Sequence, residues 1–407
     1  MRIELPKGFE RIGAVRLGDL QKVFELDAGM GDDTPAEASR TIRTVPYREL
    51  HRIQRDMAIV IPVKGERLKL IEGVLCGVPH ACLTIVVSNS ARSFVDRFGI
   101  EKDAVHDFCN FVGKRVLIAH QKDPALAGAF AETGYRKILT PGGAVRDGKA
   151  EGMLIGTMLA CLAGKKYVGF IDSDNYFPGA VEEYVREYAA GFAISRTRHA
   201  MVRIAWHSKP KIVESKLFFR KWGRSTVNTN RLLNRLIGHY TGFETEIVKT
   251  GNAGEHALTM DLAMSLDYSA GYSIEPYHIV NLLERYGGIV PQPGVETAPP
   301  AEVFQIESRN PHLHEAGDES HIDRMQLQAM QTVYHSPLCP EPIKREIAVD
   351  AARRGLIANS RAPFPRLRYF PALSTIDRER FLAAIADTEY GRYLTGANSA
   401  RHTLRIG

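Results

Sequence analysis

Met57-Ala58-Ile59-Val60-Ile61-Pro62-Val63-Lys64-Gly65-Glu66 is a near-continuous apolar, β-branched run that ends in polar residues. The pattern predicts a strand buried on both faces, not one alternating between core and water. Just downstream, Leu68, Ile71, Val74, Leu75 and Val78 fall at helical spacing. Leu83–Ser90 (LTIVVSNS) then gives a second buried strand with a small polar tail. Strand, helix and strand within ~35 residues make a βαβ unit, whose crossover implies parallel strands. The alternation continues through RVLIAHQKD (115–123), the all-round apolar helix GKAEGMLIGTMLACLAG (148–164), the strand KKYVGFIDSDN (165–175) and the helix FPGAVEEYVREYAAG (177–191). HAMVRIAWHS (199–208) and KIVESKLFFRKW (211–222) have strand composition, and TNRLLNRLIGHY (229–240) is helical. Such a chain predicts an α/β fold, a mostly parallel Rossmann-like sheet with flanking helices. Ligands then bind at the carboxyl ends of the strands. The polar tails Lys64-Gly65-Glu66, Ser88-Asn89-Ser90, Gln121-Lys122-Asp123 and Asp172-Ser173-Asp174 are expected to share one cleft.

Around this core, residues 1–56 are expected as an amino-terminal extension packing on it, with GMGDDTPAEASR (29–40) a loop. Residues 57–275 are the expected α/β domain. Residues 276–407 are a mainly helical carboxyl-terminal region, with PQPGVETAPPAE (291–302) a Pro-rich surface loop and RAPFPRLRYFP (361–371) a basic connector. The 407 residues are 44% hydrophobic and 25% charged, a globular composition that excludes a disordered chain. The net charge of +6 is scattered without a long Lys/Arg run, so no nucleic-acid partner is expected. Five cysteines without a Cys-x-x-Cys pair argue against a disulfide framework or a thiolate zinc site and fit a reducing cytoplasm. No signal peptide is evident, and no apolar stretch approaches the ~18 residues of a membrane span.

The sharpest chemical feature is Phe170-Ile171-Asp172-Ser173-Asp174-Asn175. Two carboxylates two residues apart at a strand end can be turned toward one hard cation, which in turn can bridge two phosphates. Taken alone, such a turn is as readily a capped strand-to-helix connection. Arg146-Asp147-Gly148-Lys149 precedes a helix, where glycine permits close approach and a cation joins the positive dipole end. It is not a Walker A loop. Trp222-Gly223-Arg224-Ser225-Thr226 combines an Arg fork and hydroxyls ahead of a helix, suited to an anionic substituent. Thr250-Gly251-Asn252-Ala253-Gly254-Glu255-His256 is a glycine-punctuated loop that is expected to wall a sugar pocket. In Asn310-Pro311-His312-Leu313-His314-Glu315 two imidazoles two apart can each ligate a divalent metal.

In this order the elements resemble a nucleotide-sugar glycosyltransferase of the A-type fold. More narrowly, IVIPVKGERLKLIEGVL, IVVSNS, RDGKAEGM, YVGFIDSDNYFPG, FRKWGRSTVNTNR, TGNAGEHALT and QIESRNPHLHE resemble the mannosyl-3-phosphoglycerate synthase family over roughly residues 1–335. The resemblance implies retaining transfer of mannose from GDP-mannose to the 2-hydroxyl of 3-phosphoglycerate, with a divalent metal such as Mg²⁺, Mn²⁺ or Co²⁺. Pro62, Val63, Lys64, Glu66 and Ser88, helped by Gln121 and Lys122, would frame the nucleoside. Lys149 would reach the diphosphate or ribose. Asp172 and Asp174 would hold donor and metal, with His312 or His314 as a further ligand. Arg146, Gly223, Arg224 and Thr226 would grip the acceptor phosphate, and Glu255 would orient the mannose or the acceptor hydroxyl. A double displacement would need a carboxylate beneath the anomeric carbon, a role left open for Glu255. Front-face attack with the leaving phosphate as base is the preferred reading. The partners implied are two small molecules, no membrane, and a homodimer as the assembly to consider. The alternatives are a glucosyl-3-phosphoglycerate synthase and, more remotely, a haloacid-dehalogenase-type phosphatase. The latter places its Asp-x-Asp near the start of the domain, usually followed by Gly-Thr, whereas Asn175-Tyr176 follows here.

Overall fold

The computed structural model describes residues 1–27, 41–175, 177–213, 216–220, 223–291, 298–312 and 319–396. The strands are β1 (Arg2–Glu4), β2 (Phe9–Ile12), β3 (Val15–Glu25), β4 (Ile42–Thr44), β5 (Met57–Val63), β6 (Leu83–Ser88), β7 (Val116–His120), β8 (Tyr167–Phe170), β9 (His199–Ala205), β10 (Lys209–Val213), β11 (Lys216–Arg220), β12 (His256–Thr259), β13 (Tyr268–Ser269), β14 (Ala301–Glu307) and β15 (Tyr369–Phe370). The α-helices are α1 (Tyr47–Arg55), α2 (Leu68–Gly77), α3 (Arg97–Val112), α4 (Pro124–Glu132), α5 (Lys149–Leu162), α6 (Pro178–Ile194), α7 (Arg224–Thr241), α8 (Met260–Ser265), α9 (Ile274–Tyr286), α10 (Glu319–Tyr334), α11 (Glu341–Arg353), α12 (Arg378–Ile385) and α13 (Glu389–Leu394).

β5 lies at the heart of the sheet, parallel to β6 on one side and to β8 on the other. Its side chains divide by the strand period of two. Ala58 and Val60 enter one core with α4, α5, α7, α9 and the carboxyl-terminal helices, while Met57, Ile59, Ile61 and Val63 enter the other with α1, α2, α3 and α6. This two-faced burial is why the run shows no polar alternation. On the first face α5 sits so close that a Cβ on Gly156 would lie 2.3 Å from Val60 Cγ1. A small residue there lets an otherwise apolar helix reach the sheet.

Among the described residues the sheet has eleven strands, in the order β4-β1-β3-β14-β9-β12-β8-β5-β6-β7, with β2 on β3. The sheet is mainly parallel in its β8-β5-β6-β7 half and mixed beyond, which is the α/β class that the alternating pattern predicts. Two strands come from stretches with weak strand signals. The tail of the glycine loop becomes β12, antiparallel between β8 and β9. Ala301 and Glu302, at the end of the expected Pro-rich loop, begin β14, which runs parallel between β3 and β9. Thus strands from residues 1–25 and 301–307 continue the sheet on the far side of β12. Residues 29–40 and 292–297 of the two expected loops lie outside the described residues. No described helix is long and apolar enough to cross a membrane.

Candidate active site

Strand register decides which residues meet. β12 pairs antiparallel with β8 so that His256 stands opposite Phe170, and with β9 so that His256 stands opposite Arg203. The two residues after Phe170 and the two before His256 therefore run side by side, which brings Asp172 to Gly254 and Ile171 to Glu255. A Cβ on Gly254 would lie 2.6 Å from Asp172 Oδ2 and 3.3 Å from Lys149 Nζ. Lys149, in the first turn of α5, places its ammonium 2.6 Å from Asp172 Oδ1 and 2.8 Å from Glu275 Oε1. Burial opposes charge on Lys149, yet the two carboxylates outweigh it and hold its pKa well above the ordinary lysine value.

Carboxyl groups outnumber that cation. Burial and the neighbouring Asp172 push Asp174 up to about 7. Burial, again with Asp172, pushes Glu255 up to about 8, against the opposing pull of Lys149. Glu255 is fully buried, and its Oε2 accepts from Trp206 Nε1 at 2.8 Å. Glu66 is joined to the Asp-x-Asp turn through Ser173 and accepts from the Lys64 N–H at 2.6 Å. Burial raises its pKa as well.

The NPH segment arrives beside this cluster because β14 continues alongside β9. The Ser308 N–H donates to the Ala205 carbonyl and the His312 N–H to that of Ser208. Glu183, buried on α6, clamps the turn by accepting from the Arg309 and Asn310 N–H groups and from Asn310 Nδ2. The His312 ring then stacks on Trp206, with centroids 3.9 Å apart and planes 9° from parallel. His312 Nδ1 lies 3.4 Å from Tyr184 Oη, and Tyr184 in turn bonds Asn175. His314 lies outside the described residues.

The start of α7 is pinned to the glycine loop. Asn252 Nδ2 donates to Ser225 Oγ at 2.7 Å, and the Gly251 N–H donates to Asn230 Oδ1 at 2.7 Å. Gly223 is the N-cap of this 18-residue helix and Thr226 is buried in its first turn, where the leading N–H groups have no partner within the helix. The side chain of Arg224 lies outside the described residues.

On the other flank a cleft of about 440 Å³ opens over the carboxyl ends of β6 and β7, lined by Asn89, Ser90, Ala91, Arg92, His120, Lys122, Pro124 and Asp147. Lys122 is on its rim, 2.9 Å from Asp147 Oδ1, and Asp147 stands two residues before Lys149. Pro62 and Val63 end β5, and Lys64 is exposed. Ser88 and Gln121 lie beneath the floor. The Ser88 hydroxyl donates to Glu101, and Gln121 Nε2 donates to the carbonyls of Arg146 and Gly148. Arg146 Nε reaches the Lys137 carbonyl.

Three residues escaped the sequence reading: Glu275, Trp206 and Glu183. Glu275 opens α9 in a region with no motif, and nothing in its neighbourhood signals the pairing with Lys149. Trp206 follows a strand whose composition promises only core. For a cation, the chemistry of the donor set fits: Asp172 and Asp174 supply hard oxygens in an acid-rich pocket, with one imidazole nearby. Among the described residues no group of three or more His, Cys, Asp or Glu side chains is arranged to hold a metal.

Residues 5–385 match the family model described as mannosyl-3-phosphoglycerate synthase. The mannosyl-3-phosphoglycerate synthase of Pyrococcus furiosus is 44% identical over 390 residues, 95% of this chain and 97% of that one. The mannosyl-3-phosphoglycerate synthase of Aeropyrum pernix is 36% identical over 397 residues, 97% of this chain and 99% of that one. Among solved structures, the glucosyl-3-phosphoglycerate synthase of Mycobacterium tuberculosis in complex with phosphoglyceric acid aligns with a TM-score of 0.47 at 18% identity, over 73% of this chain and 87% of that one. The same enzyme with Mn²⁺, UDP-glucose and phosphoglyceric acid aligns with a TM-score of 0.47 at 18% identity, over 74% and 86%.

Proposed function

The chain belongs to the mannosyl-3-phosphoglycerate synthase family of glycosyltransferases, and from that premise we propose that it transfers mannose from GDP-mannose to the 2-hydroxyl of 3-phosphoglycerate with retained configuration. The observation that carries the residue assignments is the β8–β12 register. It sets Lys149 and Asp172 against Gly254 and Glu255, while the start of α7 is bonded to the same loop.

The donor nucleoside occupies the cleft over β6 and β7, so its diphosphate passes Asp147 and reaches Lys149. Asp172 and Asp174, with His312 or His314, hold a divalent cation, which when bound supplies positive charge to the diphosphate. The Lys149 ammonium is aimed at the negative charge that grows on the departing GDP. The acceptor phosphate lies at the first turn of α7, where N–H groups and Arg224 meet an anion. Glu255, whose pKa burial and the neighbouring Asp172 raise in the ligand-free site, suits a hydrogen bond to a sugar or acceptor hydroxyl. The acceptor oxygen bonds to the anomeric carbon as the carbon–oxygen bond to GDP breaks, and the hydroxyl proton passes to the leaving phosphate.

GDP release from GDP-mannose, measured with and without 3-phosphoglycerate, tests the reading. Strong stimulation by the acceptor is expected, and parallel assays with GDP-glucose, UDP-mannose and UDP-glucose should give less turnover. Asp174→Ala should lose most of the turnover and stay folded. Equal turnover with UDP-glucose, or an Asp174→Ala variant with wild-type kcat across Mg²⁺ and Mn²⁺ titrations, overturns the assignment.

A further inference from the structure

Lys149 is held by two carboxylates where charge neutrality needs one. Asp172 comes from the Asp-x-Asp turn, while Glu275 comes from the first turn of α9 in a different layer of the fold. Glu275 is 3% exposed, and its Oε2 is buried without a hydrogen-bond partner among the described residues. A purely structural buried ion pair would be expected to satisfy both carboxylate oxygens, because leaving one bare costs on the order of 1–3 kcal/mol. Helix α9 brings no other charged residue to Lys149, and removing the Glu275 charge would leave the ammonium already neutralised by Asp172. The second carboxylate therefore needs a reason.

Asp172 has two claims on it, the ammonium in the ligand-free site and the cation and donor in the loaded one. If Asp172 were its sole partner, Lys149 would hold that carboxylate against the cation, and would lose its anchor once the carboxylate turned away. We propose that Glu275 is a positioning residue that tethers the Lys149 ammonium in the cleft when Asp172 is given over to the cation and the nucleotide diphosphate. The tether loosens the Lys149–Asp172 pair before binding and fixes the ammonium after it. The proposal rests on the donor site assigned above.

Four proteins test it: the full-length wild type, Glu275→Gln, Lys149→Ala and the double variant. GDP binding is titrated against Mg²⁺ by calorimetry, and melting temperature is followed without nucleotide or metal. Glu275→Gln keeps shape and a hydrogen-bond acceptor but not the charge. It should melt near the wild type and need ~10-fold more Mg²⁺ for half-maximal GDP binding, within the coupling range of residues in contact. In the Lys149→Ala background the same substitution should change the Mg²⁺ requirement less than ~2-fold, since its effect runs through the ammonium. Lys149→Ala strands a buried carboxylate and should lower the melting temperature, and adding Glu275→Gln should recover most of that loss. An undiminished Mg²⁺ effect of Glu275→Gln in the Lys149→Ala background overturns the proposal, as does no effect in the wild-type background. Should the wild type bind no GDP with any divalent ion, the donor assignment fails. The melting arm then still decides the pairing, and absence of rescue in the double variant overturns it.

Discussion

Trp206 joins two parts of the site that are distant in sequence: its Nε1–H donates to Glu255 Oε2 at 2.8 Å while its ring stacks on His312 at 3.9 Å. The indole thereby donates to a fully buried carboxyl and sets the plane of a candidate metal-binding imidazole at once. β9 ends at Ala205, and β14 runs parallel to it, so both rings leave the sheet from adjacent strand ends. Glu183 completes the arrangement by locking the Arg309–Asn310 turn.

Trp206→Phe separates the two contacts, because phenylalanine keeps a stacking face and loses the N–H. Removing the donor to a buried acceptor costs roughly 1–3 kcal/mol. If Glu255 orients a reacting hydroxyl, kcat should fall about 10-fold or more, with a smaller change in the KM for either substrate. A wild-type kcat with a lowered melting temperature would assign the Trp206–Glu255 bond to stability alone.

Gly254→Ala probes the register itself. The new methyl would sit 2.6 Å from Asp172 Oδ2 and 3.3 Å from Lys149 Nζ, so the Asp172 carboxylate must turn aside. The yielding group is the end of a side chain, so the fold should survive. Displacing a catalytic group by about 1 Å can cost ~100-fold in rate, and a kcat loss of that order is expected with near-wild-type circular dichroism. Full activity in this variant would place the chemistry away from the Asp172–Gly254 contact.

The raised carboxyl of Glu255 also has a consequence for stability. Its pKa is pushed up to about 8, burial being the largest cause and Asp172 the next, from an ordinary value of 4.5. The folded protein therefore keeps a proton that the unfolded chain releases, and stability falls as pH rises from about 4.5 until it levels above 8. The buried imidazoles of His256 and His278 have lowered pKa values and act in the opposite direction only below the ordinary histidine value. Between pH 6.5 and 8 in EDTA, urea unfolding should show wild-type stability declining relative to Glu255→Gln by up to about 1.4 kcal/mol per pH unit. Parallel curves for the two proteins would mean that Glu255 is ionised in the fold.

The buried sheet strands and the grouping of Lys149 with Asp172 were legible in the sequence, and the contacts that were not have a common cause. A strand buried on both faces writes itself as an unbroken apolar run, as Met57–Val63 does, and a helix opening on Gly148-Lys149 announces a cation at a strand end. β12 and β14 have no such signature. His256–Thr259 is four residues long and follows a glycine loop, and Ala301 stands directly after two prolines. Their places come from pairing partners far away in the chain, as with His256 opposite Phe170 and Ala301 opposite Val15. Pair contacts made by tertiary register, such as Lys149 with Glu275, are likewise invisible to local spacing. Nor does local spacing show where the polar side chains at strand ends bond within the protein: Ser88 donates to Glu101, and Gln121 to the Arg146 and Gly148 carbonyls.

Arg224 bears on what distinguishes this enzyme from a generic sugar transferase. It opens α7, directly after the N-cap Gly223, and the next residue, Ser225, accepts a hydrogen bond from Asn252 of the loop that carries Glu255. The start of this 18-residue helix, its positive dipole end, is thus fixed to the loop that carries Glu255 before any ligand binds. A phosphate at this point would gain backbone N–H donors and, from arginine, a planar fork matching two of its oxygens, which lysine cannot supply. Losing one such charge-assisted contact costs on the order of 2–5 kcal/mol when the partner charge stays buried. Arg224→Ala should therefore raise the KM for 3-phosphoglycerate at least ~30-fold, about 2 kcal/mol, while the KM for GDP-mannose hardly moves. Arg224→Lys should recover only part of the loss, because a point charge replaces the fork. The wild type should likewise prefer 3-phosphoglycerate strongly over unphosphorylated glycerate. Equal use of the two acceptors, or an Arg224→Ala defect confined to the donor, would move the acceptor phosphate away from the start of α7.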